Sequence, residues 1–182
     1  MRIAIIGSTK AEDEACQMME EISTTLLDCG IDVSTGGAFK IDHAAMKGYR
    51  PGQKGKLYVY LPWSTYNKEI IPVGAITRVY SPDTDGEWTA SVLKYHPNPN
   101  ALSRGVWALH ARNYGIVADP EPVNAIFALP RTLTTLGGTG QGMRIGEGLG
   151  IPVYNFRKQD HVDKIYRWLE EVKAHVEKEQ QA

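Results

Sequence analysis

The chain has 182 residues, 42% hydrophobic and 23% charged, a size and balance that suit one globular domain with a continuous core and argue against a second full domain. Its formal charge of -1 provides no overall attraction to nucleic acid or membrane, so any polyanion would have to be met by a local pocket. No apolar run approaches the roughly 20 residues that a spanning helix needs, and the opening "MRIAIIGSTK" turns polar too soon for a signal peptide; the expectation is a cytoplasmic protein without membrane contact.

In chain order, "RIAII" is an apolar run that ends in "GSTK". "AEDEACQMMEEISTTLLDCG" then shows helical periodicity and stops at Gly30, and "IDVSTGGA" starts a second strand. "IDHAAMKGY" predicts a short helix, "KLYVYLP" a third strand and "AITRVYS" a fourth. Ser81 to Asn100 is rich in turn formers and reads as an excursion from the core pattern. "PNALSRGVWALHARNYGIVA" predicts a helix, "VNAIFALP" a buried strand, "GQGMRIGEGLG" a helix and "IPVYNF" the last strand. From Asp160 to Gln180 an amphipathic closing helix carries Val162, Ile165, Tyr166, Leu169, Val172 and Val176 on one side. Cys16 and Cys29 are too far apart along their helical stretch to bridge and are expected as buried thiols. No Cys or His spacing suits a metal, and no cofactor is expected.

Apolar runs alternating with helices predict an α/β fold: a single doubly wound, mostly parallel, Rossmann-like sheet with helices on both faces. In such a sheet ligands bind beyond the carboxyl ends of the strands, near the point where strand order reverses. This directs attention to the loops "GSTK", "STGGAFK", "PWSTYNK" and "LPRTLTTLGGTGQG". Gly7, Ser8, Thr9 and Lys10 precede a helix and could cradle a phosphate, or simply cap that helix, whose first turn holds Glu12, Asp13 and Glu14. Gly36 and Gly37 stand where the backbone turns sharply or approaches a ligand, and Asp42 opens the next helix, as a cap or as part of a nucleotide site. Trp63 could stack on a base or cover the core. Arg112 and Asn113 end a helix before a strand, where an Arg is more often a surface charge. The apolar face of "GVWALHA" would pack on its own sheet or serve an interface.

These stretches, in this order, resemble the SMF/DprA and LOG superfamily of Rossmann-like proteins. "AIIGST" is similar to the family's first strand with its GS signature, and "VSTGGAFKIDHAA" to the DprA segment SGxAxGIDxAA. "RN" before a strand resembles the Arg-Asn or Arg-Lys pair before the penultimate core strand. "IFALP" followed by "GGTGQGMRIGEGLGIPVYNF" resembles the terminal glycine loop, helix and strand. The resemblance covers roughly residues 1 to 156.

The resemblance implies a DprA-like binding protein for a nucleotide or single-stranded nucleic acid, forming a homodimer or higher homo-oligomer. Gly7, Ser8, Thr9, Lys10, Gly36, Gly37, Gly137, Gly138, Thr139, Gly140 and Gln141 would offer backbone and side-chain donors, Arg112 the charge, Asn113 and Asp42 further polar contacts, and Trp63 a stacking face. The alternative is a nucleotide phosphoribohydrolase or N-glycosidase of LOG type. There the family's PGGxGTxxE motif would place Arg144 or Gly142 at the catalytic Glu position, so catalysis would fall to Glu147 or Asp42. Cleavage of an N-glycosidic bond needs a well-placed carboxylate, and the shifted Glu tilts the expectation away from an enzyme.

Overall fold

The computed structural model describes residues 1–133 and 137–181. Six strands form one sheet in the order β4-β3-β2-β1-β5-β6, every pair parallel. They are β1 Arg2–Gly7, β2 Asp32–Gly36, β3 Leu57–Leu61, β4 Ile76–Val79, β5 Ala125–Leu129 and β6 Val153–Asn155. The expected α/β architecture is thus present, and the sheet is parallel throughout. The helices are α1 Asp13–Asp28, α2 Ile41–Lys47, α3 Gly86–Tyr95, α4 Arg104–Ala118, α5 Gly137–Gly148 and α6 Gln159–Gln181.

Alternation along each strand decides what each face of the sheet packs against. Ile3 and Ile5 of β1, Val33 of β2, Val59 of β3 and Phe127 of β5 join a cluster with α1, α2 and α6. Their neighbours Ala4, Ile6, Tyr60 and Ile126 join Trp88, Ile116 and Met143 of α3, α4 and α5. Period 2 in the strands therefore sends successive residues into two separate cores. The chain first winds outward from β1 to β4, then returns through α3 and α4 to place β5 against the other side of β1. Order reverses there, and the carboxyl ends of β1 and β5 diverge into opposite crossovers.

Four expectations are corrected. The segment 81–100 is not an irregular excursion: its turn formers lie at the ends, while "EWTASVLKY" between them forms most of α3 and buries Trp88, Ser91 and Val92 at helical spacing. The predicted helix from Pro99 is two elements, because Pro99–Ala101 makes one tight turn and Ser103 then caps α4, its Oγ accepting the Val106 N–H at 3.4 Å. On α6, Ile165 and Leu169 are buried and Trp168 packs beside them, but Tyr166 faces out at 39% exposure. Both cysteines are half-buried, with their thiol pKa values raised by desolvation. No helix among the described residues is long and apolar enough to cross a membrane.

Candidate functional site

A cavity of about 670 Å³ opens at the carboxyl ends of β1, β2 and β5, where the strand order reverses. That volume falls in the range of small-molecule sites. The loop after β1 forms one rim, with Gly7, Ser8, Thr9 and Lys10 all lining the cavity. Ser8 Oγ accepts the Lys10 N–H at 3.0 Å, which tightens this loop into a side-chain turn, and the Ser8 N–H donates to the Leu129 carbonyl at 2.9 Å. Gly7 is required by packing, since a Cβ there would lie 2.5 Å from Ile41. Two of the three acids after this loop are engaged elsewhere: Glu12 pairs with Arg157 at 3.1 Å and Asp13 with Lys40 at 2.7 Å. Both of their pKa values are lowered, Glu12 by hydrogen bonding at its own backbone and then by Arg157, Asp13 by Lys40. Lys40 is thereby directed to α1 rather than to the cavity, and its φ of 69° gives the chain its sharp entry into α2.

A buried pair of opposite charges forms the floor. Asp42 and Arg112 are each 5% exposed, and Arg112 Nη1 stands 3.9 Å from Asp42 Oδ2. This is electrostatic contact without a hydrogen bond. Nη1 donates to the Tyr60 carbonyl at 3.1 Å, the guanidinium carbon lies 5.9 Å from the centre of the Tyr66 ring, and Nε has no partner. A guanidinium carries five N–H donors, and among the described residues the one hydrogen bond it makes is that of Nη1 to Tyr60. Asp42 Oδ2 accepts the Ala38 N–H at 3.3 Å. Burial pushes the Asp42 pKa up to about 6, against the pull of Arg112 and of the Ala38 and Gly7 amides. The Arg112 pKa is lowered, chiefly by burial, with Asp42 opposing.

The expectation that Arg112 and Asn113 end a helix, with the Arg as a surface charge, is overturned. α4 continues to Ala118, so neither residue ends the helix, and both face inward. What admits the guanidinium is Gly36, where a Cβ would overlap Arg112 Nη1 and stand 2.5 Å from Asp42 Oδ2. Gly36 therefore makes room for Arg112 rather than for a ligand. Gly37 packs against Leu61 and Tyr66, and neither glycine lines the cavity.

α4 supplies one wall, with Val106, Leu109, His110 and Asn113 turned toward the opening. Asn113 Nδ2 donates to the Gly138 carbonyl at 3.0 Å and so ties this wall to the first turn of α5. His110 is 7% exposed, its Nδ1 has no partner, and its ring meets His96 edge-on at 4.5 Å. Burial first, then His96, Arg144 and Arg112, push its pKa down to about 4, so it is neutral near pH 7. Gly137, Gly138 and Thr139 of α5 also line the cavity, as do Tyr66, Arg131 and Thr132.

The remaining candidates lie elsewhere. Trp63, 39% exposed, meets the Tyr66 ring edge-on at 5.1 Å and braces that wall without lining it. Gly140 and Gln141 are buried and do not line the cavity; Gln141 Oε1 accepts from Arg144 at 2.9 Å, while its Nε2 has no partner. Glu147 is exposed on α5, away from the cavity. The helix also starts three residues before the expected "GQGMRIGEGLG". Its later glycines answer to packing, Gly142 against Ile6, Gly146 against Ile126 and Gly148 against Tyr95. Residues 134–136 of the expected loop "LPRTLTTLGGTGQG" lie outside the described residues. Reasoning from sequence missed Tyr66, His110 and Arg131 as lining residues; only the position of Tyr66 and Arg131 in loops after strands pointed to them. No group of His, Cys, Asp and Glu among the described residues could hold a metal ion. No family model matches the chain, and no curated protein or solved structure does either.

Proposed function

We propose that this chain binds a free nucleotide, with the phosphate at the β1 loop and the start of α5 and with Arg112 supplying charge from below. The observation that supports this most is the cavity at the strand reversal, floored by a buried guanidinium whose Nε is unpartnered. A buried donor left without a partner is destabilising by about 1–3 kcal/mol, and a bound phosphate or sugar oxygen would relieve it. The cations lining the cavity, Lys10, Arg112 and Arg131, form a compact set around a pocket rather than a long basic stripe. That distribution favours a mononucleotide over single-stranded DNA, whose binding would fall steeply with salt.

Calorimetry with nucleoside monophosphates, NAD, ADP-ribose, cyclic nucleotides and single-stranded DNA tests this. The expected result is binding of a mononucleotide-sized ligand with little salt dependence, weakened at least tenfold in Arg112→Met; silence across the whole set would dispose of the proposal. The same reading carries a cytoplasmic location and a homo-oligomer, the latter checked by sedimentation.

A second reading, a nucleotide phosphoribohydrolase, draws on one observation. Asp42 is a carboxyl group lining the cavity with a pKa raised to about 6, close to the range useful for acid-base work. Release of free base from a monophosphate, abolished in Asp42→Asn and retained in Glu147→Gln, would establish it.

A further inference from the structure

Three buried side-chain atoms among the described residues have no hydrogen-bond partner: His110 Nδ1, Arg112 Nε and Gln141 Nε2. All three lie on α4 and α5, and the first two belong to residues that line the cavity. Arg112 is accounted for by an anionic ligand. His110 is not needed for that charge, because a neutral imidazole offers a phosphate a hydrogen bond but no positive charge.

Its place along α4 indicates what it meets. Asn113 is bonded to the Gly138 carbonyl and so marks the end of the wall next to the start of α5. Val106 lies seven residues earlier, about 10 Å along the helix axis at 1.5 Å rise per residue. His110 stands between them, one turn from Val106 and just under one from Asn113. The wall therefore changes from polar beside α5 to apolar at Leu109 and Val106, the latter 40% exposed, over roughly the length of a nucleotide from phosphate to base.

Resting on the nucleotide reading above, we infer that His110 is the residue that selects the ligand's base: the heterocycle lies along Val106 and Leu109, and His110 Nδ1 makes a hydrogen bond to an uncharged polar atom on its edge. Burial first, then His96, Arg144 and Arg112, disfavour a second proton on the imidazole, so the ring offers one donor and one acceptor rather than a charge. A site built this way rejects a ligand lacking the matching group, since the histidine is then buried without its bond.

The test is titration calorimetry of the full chain with AMP, GMP, CMP, UMP and ribose 5-phosphate. One monophosphate is expected to bind at least tenfold more tightly than ribose 5-phosphate. That ratio should fall about tenfold in His110→Ala and recover in His110→Asn, whose amide reaches the same place as Nδ1. Val106→Trp, at a site exposed enough to spare folding, should lower the ratio as well by filling the base end. A wild-type chain that binds ribose 5-phosphate as well as every monophosphate would overturn the inference and leave the phosphate site standing. So would a ratio that persists in both His110→Ala and Val106→Trp. Failure of all five ligands to bind would remove the nucleotide reading itself, and this inference with it.

Discussion

The two faces of the sheet are built to different standards. On the side of α1, α2 and α6 the buried polar side chains are satisfied: Ser23 Oγ donates to the Ala45 carbonyl at 2.7 Å and Thr35 Oγ1 to the Ile5 carbonyl at 2.7 Å. On the side of α3, α4 and α5, Ser34 is likewise bonded, to the Ile116 carbonyl at 2.8 Å. Yet that side also holds His110, Arg112 and Gln141 with their unpartnered atoms. Native interiors leave few such groups, and here they gather beside a cavity. The first face secures the fold; the second leaves three buried polar atoms unsatisfied, and on the nucleotide reading proposed above a ligand would meet those beside the cavity.

Four measurements can break or sharpen this contrast. The largest effect is expected from Phe127→Ala on the first face, where the ring is 1% exposed and packs against Tyr154, Phe156 and Trp168. Urea unfolding should show a loss of about 3–5 kcal/mol, with nucleotide affinity retained under conditions where the variant is folded. A comparable loss of affinity would show that the faces are not independent. Gly36→Ala comes next, because its methyl group meets Arg112 of the second face where that guanidinium reaches Asp42 of α2. Overpacking of this kind costs about 1–3 kcal/mol, and here stability and affinity should fall together.

The third measurement uses pH. The Asp42 pKa is raised from 3.8 to about 6, so its favourable contribution is complete below about pH 4 and is lost as pH rises through 6. The His110 pKa is depressed from 6.5 to about 4, so its contribution is complete above 6.5 and is lost as pH falls through 4. Between pH 4 and 6 the two slopes oppose. Relative to the unmodified chain, Asp42→Asn should therefore lose stability on acidification from pH 6.5 to 4, while His110→Gln should gain it, each by at most about 1.4 kcal/mol per pH unit. Identical stability profiles in the two variants would contradict the assignment. The smallest effect belongs to Glu147→Gln, exposed and outside the cavity: unfolding should shift by less than about 0.5 kcal/mol, and binding should not change.

Fold and site were legible in the sequence to different depths. Parallel strands buried on both faces read as unbroken apolar runs, so β1, β3 and β5 stood out, and alternation with helices implied the doubly wound order. α3 was hidden because Pro82, Asp83, Asp85 and Pro97 crowd its two ends, and turn formers at the flanks outweigh a ten-residue helical pattern between them. The loop after β1 and the start of α5 were readable from glycines and hydroxyls that follow strands. The floor was not. Arg112 is buried because a residue 76 positions earlier lacks a side chain, and nothing local to "HARNYG" records that. His110 escaped notice for a similar reason, since its role depends on which side of α4 meets the opening.

Gly36 and Arg112 carry a consequence for how this protein can change over time. Neither can drift alone: a larger residue at 36 ejects the guanidinium, and a shorter one at 112 leaves a hole above a glycine and strands Asp42 without its counter-charge. The two sites are tied by epistasis, so viable descendants must alter them together or not at all, and the pair should surface as a correlated substitution in any library selected for a folded, ligand-competent chain.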